Sequence, residues 1–75
     1  MKKYVVKPKH NNNKVWNPRH SEWDNAESTN DDHMTSDRDR AGHRSEGASR
    51  VNPDTNREDG KCHPVRVAEV EIKEK

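Results

Sequence analysis

The chain has 75 residues, of which 24% are hydrophobic and 39% are charged, and its formal net charge is +1. This length allows at most one small domain, the charge balance sets no overall bias toward nucleic acid or acidic partners, and a single cysteine excludes an internal disulfide. No apolar run is long enough for a signal peptide or a membrane span, which predicts a soluble cytoplasmic protein with no membrane partner. Leucine and phenylalanine are both missing, so burial is expected to order only a small nucleus.

The N-terminal residues predict a β-hairpin over residues 3–17. The stretch KYVVKPK is β-branched and aromatic, and its Pro8 either ends the strand or holds it at a sheet edge. The stretch KVWN gives a second short strand, and the asparagines between the two strands suit a turn. We therefore expect Tyr4 and Trp16 to lie in paired strands of one hairpin.

The middle of the chain differs in composition from the ends. Residues 17–60 contain no lysine. They contain six arginines and eleven acidic residues, which gives a formal charge of −5. Apolar side chains are sparse, which predicts that residues 24–60 form a polar, mobile and weakly ordered segment within a single domain of residues 1–75. Thr35 or Ser36 offers an N-cap, but no apolar stripe follows, so the sequence predicts at best a transient helix near Thr35–Ser45.

The C-terminal residues predict a turn followed by a strand. VNPDTNREDGK combines several turn-forming dipeptides, and the valines after it predict a strand over residues 63–73. In a regular strand Val65 and Val67 point to one face and Val70 and Ile72 to the other. A β-bulge near residues 68–69 would bring all four to one face, and we expect one there. The predicted fold class is a small, marginal α+β domain, with an N-terminal hairpin, a C-terminal strand and a short or transient helix.

Five histidines and one cysteine raise the question of a metal site. Structural zinc sites usually bring two ligands from within one turn of chain, whereas successive histidines here are separated by nine or more residues. We therefore favour solvated histidines and no cofactor. The alternative is a divalent metal, zinc or magnesium, bound by ligands drawn from Asp32, His43, Cys62 and His63.

A second alternative comes from the stretches DHM and CHP, with asparagines between them. This pattern resembles the HNH-type endonucleases, which are metal-dependent nucleases. The resemblance implies His33 as the catalytic general base and a divalent ion held by Asp32 and His63. It also implies Asn52 or Asn56 as the residue that orients the base.

A longer resemblance rests on KKYVVKPK, KVWN, AEST and REDGKCHPVR. These stretches are similar to the short bacterial and phage family catalogued as domain of unknown function 2188. That resemblance implies a hairpin from residues 4–9 and 14–17, a helix over 35–47, a last strand opened by Val51, and a turn at Asp59-Gly60. It supports an α+β fold and implies no reaction.

The basic N-terminus interleaves lysines with aromatic residues. Lysines neutralise phosphates and aromatic rings stack on unpaired bases, which would suit nucleic acid. A hairpin whose edge is protected by lysine explains the same residues, and we favour that interpretation. The candidate binding residues are Lys2, Lys3, Tyr4, Lys7, Lys9, Lys14 and Trp16.

These observations favour a non-enzymatic small binding or interaction protein, which binds an unknown protein partner or a second copy of itself and orders on binding. The HNH-type nuclease is the alternative enzyme class. A designed or library-derived chain with no natural function is the third hypothesis, because lysine is confined to the ends and leucine is missing.

Overall fold

In the computed structural model, which describes residues 2–71, the strands form three separate antiparallel pairs beside one α-helix. This is an α+β arrangement, as the sequence predicts. In chain order the elements are β1 (Lys2–Pro8), β2 (Lys14–Asn17), β3 (Glu22–Asn25), two short 3-10 turns (Ala26–Ser28 and Asp31–His33), α1 (Arg38–Ala48), β4 (Val51–Asn52), β5 (Arg57–Glu58) and β6 (Val65–Glu71).

The N-terminal strands are present, but they do not pair with each other. β1 pairs with β6, and β2 pairs with β3, where Trp16 lies opposite Trp23. The hairpin predicted over residues 3–17 is therefore wrong. Strand length gives the physical reason: β1 and β6 have seven residues each while β2 has four, so β6 pairs more of the backbone groups of β1.

β6 is a regular strand over its described length. Every residue from Val65 to Glu71 faces one residue of β1, so the bulge predicted near residues 68–69 is absent, and Ile72 lies outside the described residues. The neighbouring residues Val5 and Val6 of β1 point to opposite sides and are 1% and 2% exposed. In β6, Val65 and Val70 are half-buried although they have opposite parity, and Val67 stays exposed at 37%, so burial of the β6 valines does not require a bulge.

Two tryptophans supply much of the core volume that leucine and phenylalanine provide elsewhere. The rings of Trp16 and Trp23 pack edge to face, with centroids 5.1 Å apart and an interplanar angle of 67°. This geometry is favourable for aromatic pairs beyond the area they bury. The cluster around them also contains Val6, Ala48 and Val51, and Val65 packs against it. The core therefore joins β1, β2, β3, α1 and β4.

The segment predicted to be mobile contains regular structure. Thr35 bridges the free side of β1 through two backbone hydrogen bonds with Tyr4, of 2.8 and 3.0 Å. α1 follows, capped by Asp37, whose carboxylate accepts hydrogen bonds from the backbone of Asp39 and Arg40. The N-cap is thus neither Thr35 nor Ser36, because the longer carboxylate of Asp37 satisfies two of the free helix amides. The prediction of a weakly ordered middle is not supported.

Two hairpins in the chain close with the same kind of loop. The β2–β3 loop begins Asn17-Pro18 and the β4–β5 loop begins Asn52-Pro53, and in each the asparagine Oδ1 accepts a hydrogen bond from the backbone two residues on. Each loop ends on a residue with positive φ, Ser21 at 52° or Asn56 at 59°. Asparagine oxygens and proline φ angles favour such turns locally.

Asn56 has a second role that Ser21 lacks. Its amide accepts from the backbone N–H of Trp23 at 2.5 Å and donates to the backbone oxygen of Trp23 at 2.8 Å. Asn56→Gly keeps the backbone conformation available and removes both bonds, so we expect a loss of about 1–2 kcal/mol in the free energy of unfolding. Urea unfolding followed by tryptophan fluorescence measures this.

The matched control is Ser21→Gly, the equivalent position of the other hairpin. There the same substitution relieves a left-handed backbone and removes no comparable pair of bonds, so stability should change by less than about 0.5 kcal/mol. Equal losses in the two variants would show that the Asn56 side chain adds nothing beyond its backbone conformation.

Candidate functional site: a histidine-lined groove

An open groove of about 330 Å³ lies where three separated parts of the chain meet. Its volume is at the lower end of the range typical of small-ligand pockets. One wall comes from the end of β1 and the loop after it, a second from the β4–β5 loop, and a third from the residues before β6. We call it the His63 groove, and it is lined in part by Pro8, His10, Asn52, Pro53, His63 and Pro64.

His63 is held in a fixed orientation by the carboxylate of Asp59. Its Nε2 lies 2.9 and 3.0 Å from the two oxygens of that carboxylate. Asn52 donates a side-chain hydrogen bond to Asp59 at 3.2 Å, and the backbone N–H of Lys61 donates another at 3.1 Å. A carboxylate that accepts this many hydrogen bonds favours its ionised form. The bond from His63, assisted by those from Lys61 and Asn52, lowers the pKa of Asp59 from 3.8 to about 2.

The lowered pKa predicts how the protein responds to acid. Because the pKa of Asp59 is lower in the folded chain than its ordinary value, the ionised carboxylate stabilises the fold fully above about pH 4, and this contribution is lost as the pH falls toward about 2. In Asp59→Asn, the urea midpoint should therefore fall less steeply over that range than in the unmodified chain. Urea titrations at stepped pH values measure the slope.

Asp31→Asn is the matched control, since Asp31 is exposed and lies in a 3-10 turn away from the groove. Its slope should follow that of the unmodified chain. If Asp59→Asn also follows the unmodified chain, the pair of Asp59 and His63 contributes nothing to acid stability.

A second histidine–aspartate pair lies in the interior. His33 is 3% exposed, and its Nε2 lies 2.8 Å from Asp24, which also accepts a hydrogen bond of 3.0 Å from Asn17. The hydrogen bond from Asn17 is the larger cause and that from His33 the next, and together they lower the pKa of Asp24 below its ordinary value. The Nδ1 of His33 accepts from the backbone N–H of Asn30 at 3.0 Å, so the proton of the neutral ring is on Nε2.

His33 therefore has neither ring nitrogen free to activate water. A general base must reach the proton it abstracts, but Nδ1 already closes the 3-10 turn on Asn30 and Nε2 joins that turn to Asp24 of β3. Asp32 points elsewhere, to Arg19 at 3.6 Å on the surface. Asn56 bonds to Trp23 and Asn52 to Asp59, so this structure does not assemble the set that the HNH-type resemblance implies.

This arrangement predicts a structural role for His33. His33→Ala leaves Asp24 and the Asn30 amide without their partner in a half-buried site, and we expect a loss of about 2–3 kcal/mol in the free energy of unfolding. Thermal unfolding by circular dichroism measures it. His43→Ala, on the exposed side of α1, is the control and should change stability by less than about 0.5 kcal/mol. An unchanged stability in His33→Ala would contradict the structural role.

The metal candidates lie on different elements. Asp32 is in a 3-10 turn, His43 in α1, and the neighbouring residues Cys62 and His63 precede β6. Within residues 2–71, no three side chains of His, Cys, Asp or Glu lie close enough together to share a metal ion. Zinc or magnesium binding thus stays a prediction without a preformed site among these residues.

Only some of the candidate binding residues near the N-terminus are available at the surface. Trp16 is 4% exposed and belongs to the core, so it cannot stack on a base, and Tyr4 is half-buried.

The lysines differ in their surroundings. Lys2 pairs with Glu69 at 3.4 Å, and Lys14 donates to Asn25 at 3.4 Å. Lys3 and Lys7 lie opposite Val70 and Arg66, and Lys9 is exposed beyond the strand.

Sequence reasoning identified His63 only as a metal ligand and missed the groove. His10 and Asp59 were not connected to His63, and Asn52 was placed with it only by the HNH-type resemblance. The spacing of Asp59 and His63, four residues apart around a turn, is a signal that was present in the sequence. The approach of the loop after β1 was not predictable locally, because it depends on the pairing of β1 with β6.

Comparisons with family models, curated proteins and solved structures give no match to this chain. These comparisons neither support nor contradict the two family resemblances, which stay predictions. No helix in residues 2–71 is long and apolar enough to cross a membrane.

Proposed function

We propose that the chain is a small, non-enzymatic binding protein whose binding surface is the His63 groove. The observation that carries this proposal is the fixed imidazole of His63. Its Nε2 is bound to Asp59, and in the described part of the chain no partner is seen for its Nδ1. A ring that is oriented on one side and free on the other suits recognition of a ligand hydrogen-bonding group.

The walls of the groove are preorganised by backbone hydrogen bonds. The N–H of Lys9 donates to the oxygen of Pro64 at 2.9 Å, and the N–H of His63 donates to the oxygen of Ser49 at 2.7 Å. These bonds fix the residues before β6 against both β1 and the end of α1. A ligand that enters such a groove has little loop ordering to oppose its binding.

The lining indicates the chemistry of the ligand. Pro8, Pro53 and Pro64 present rigid apolar surface, while His10, His63 and Asn52 present polar groups. We expect a ligand that combines a small apolar group with amide-like hydrogen-bonding groups, such as a short segment of a partner protein. An open groove of this size covers only a few residues of such a segment, so affinity for a short probe should be weak, with Kd on the order of 1 mM.

A proton–nitrogen NMR titration of the full chain with a set of acetylated, amidated dipeptides tests the proposal. Binding dipeptides should shift the amides around Asn11, Asn52 and His63 in a saturable manner. His63→Ala should weaken binding by about tenfold, the effect of losing one oriented hydrogen bond. His43→Ala should leave it unchanged.

Shifts scattered over the whole surface, or the same affinity in His63→Ala, would contradict the proposal. Shifts that cluster around Ser49 and Cys62 would place binding in a neighbouring groove of about 410 Å³ and would equally remove the His63 groove from the proposed function.

A further inference from the structure

α1 directs one arginine toward the sheet. Ala41 and Ala48 are fully buried, and Arg44 lies between them at helical spacing, on the face that packs against β1 and β6. Its guanidinium Nη1 is buried and has no hydrogen-bond partner among the described residues. Burial, and then the nearby charge of Arg40, lowers the pKa of Arg44 below its ordinary value.

The charged neighbour that acts on Arg44 is a second arginine. Arg40 lies one helical turn before it, and like charges at this spacing repel. The ion pairs seen within residues 2–71 join Lys2 to Glu69 and Arg19 to Asp32, apart from the two His–Asp pairs, so none involves either arginine.

A buried guanidinium N–H without an acceptor is destabilising, and such groups normally have a partner in protein, solvent or ligand. Arginine matches the two oxygens of a carboxylate or a phosphate with parallel hydrogen bonds. We propose that Arg44, together with Arg40, binds an oxyanion group, a phosphate or a carboxylate, at the edge of the contact between α1 and the sheet. This site shares no residue with the lining of the His63 groove and does not depend on the function proposed for it.

Thermal unfolding of the full chain tests this site, with inorganic phosphate and acetate as probes and sodium chloride at the same ionic strength as reference. An oxyanion that binds only the folded chain raises Tm, by about 4–8 °C when its concentration reaches roughly five times Kd. Phosphate also stabilises proteins in general through exclusion from their surface. The measured quantity is therefore the difference in response between the unmodified chain and Arg44→Met.

Arg44→Met keeps an unbranched side chain and removes the guanidinium. We expect this variant to lose the specific rise in Tm while its Tm in chloride is not lowered, because an unpaired buried charge has been replaced by an apolar group. Arg38→Met changes an exposed arginine of the same helix and should retain the full response. Arg44→Lys retains the charge without the paired donors and should weaken binding by about tenfold.

NMR of the arginine Nε–H groups gives a readout that requires no variant. Phosphate or acetate should shift the Nε–H signals of Arg44 and Arg40 and leave that of Arg38 in place. A response to phosphate alone would indicate a phosphorylated ligand, a response to acetate alone would indicate a carboxylate ligand, and both would support the oxyanion site. Equal responses in chloride, or in Arg44→Met, would overturn it and assign the buried N–H to solvent.

Discussion

The indole and backbone of Trp23 hold the two halves of this chain together. The indole N–H donates to the backbone oxygen of Val51 at 2.8 Å, while the backbone N–H and oxygen of Trp23 bond to the side chain of Asn56. These three bonds join the β2–β3 hairpin to the β4–β5 hairpin. Because β4 and β5 have two residues each, their own ladder is too short to be stable alone. The wall of the His63 groove that contains Asn52 thus depends on a tryptophan outside the groove.

In this protein, hydrogen bonds from polar side chains supply part of the stabilisation that buried apolar side chains supply in most domains. Asn17, Asn30, Asp37 and Asn52 each accept hydrogen bonds from backbone amides at the start of a turn or helix. Each such bond contributes only about 1 kcal/mol, but together they fix the direction of the chain at each element boundary. A prediction of disorder that counts apolar residues alone misses this contribution, which is why the expected mobile middle instead contains a helix and a hairpin.

The positions of β1 and β6 could be predicted from the local sequence, but which strands pair with each other could not. Valine-rich stretches indicated β1 and β6, and the candidate caps Thr35 and Ser36 indicated at best a transient helix near the position of α1, because these signals lie within a few residues of the element itself. The pairing of β1 with β6 joins the two ends of the chain, so no local window contains it. Trp16 among lysines has the same sequence pattern whether its ring is at the surface or in the core. Only the opposing Trp23 decides between the two.

The two histidine–aspartate pairs show why residue type alone did not identify the site. In both, a carboxylate orients an imidazole through Nε2. For His33, a backbone amide occupies Nδ1 and the ring is buried, so its hydrogen-bonding capacity is used to stabilise the fold. His63 lines an open groove, and no hydrogen-bond partner for its Nδ1 is seen among residues 2–71. The partner of the second nitrogen, rather than the aspartate, distinguishes the structural role of His33 from the recognition role proposed for His63. That partner is set by the tertiary arrangement, since the loop after β1 and the β4–β5 loop create the open space beside His63.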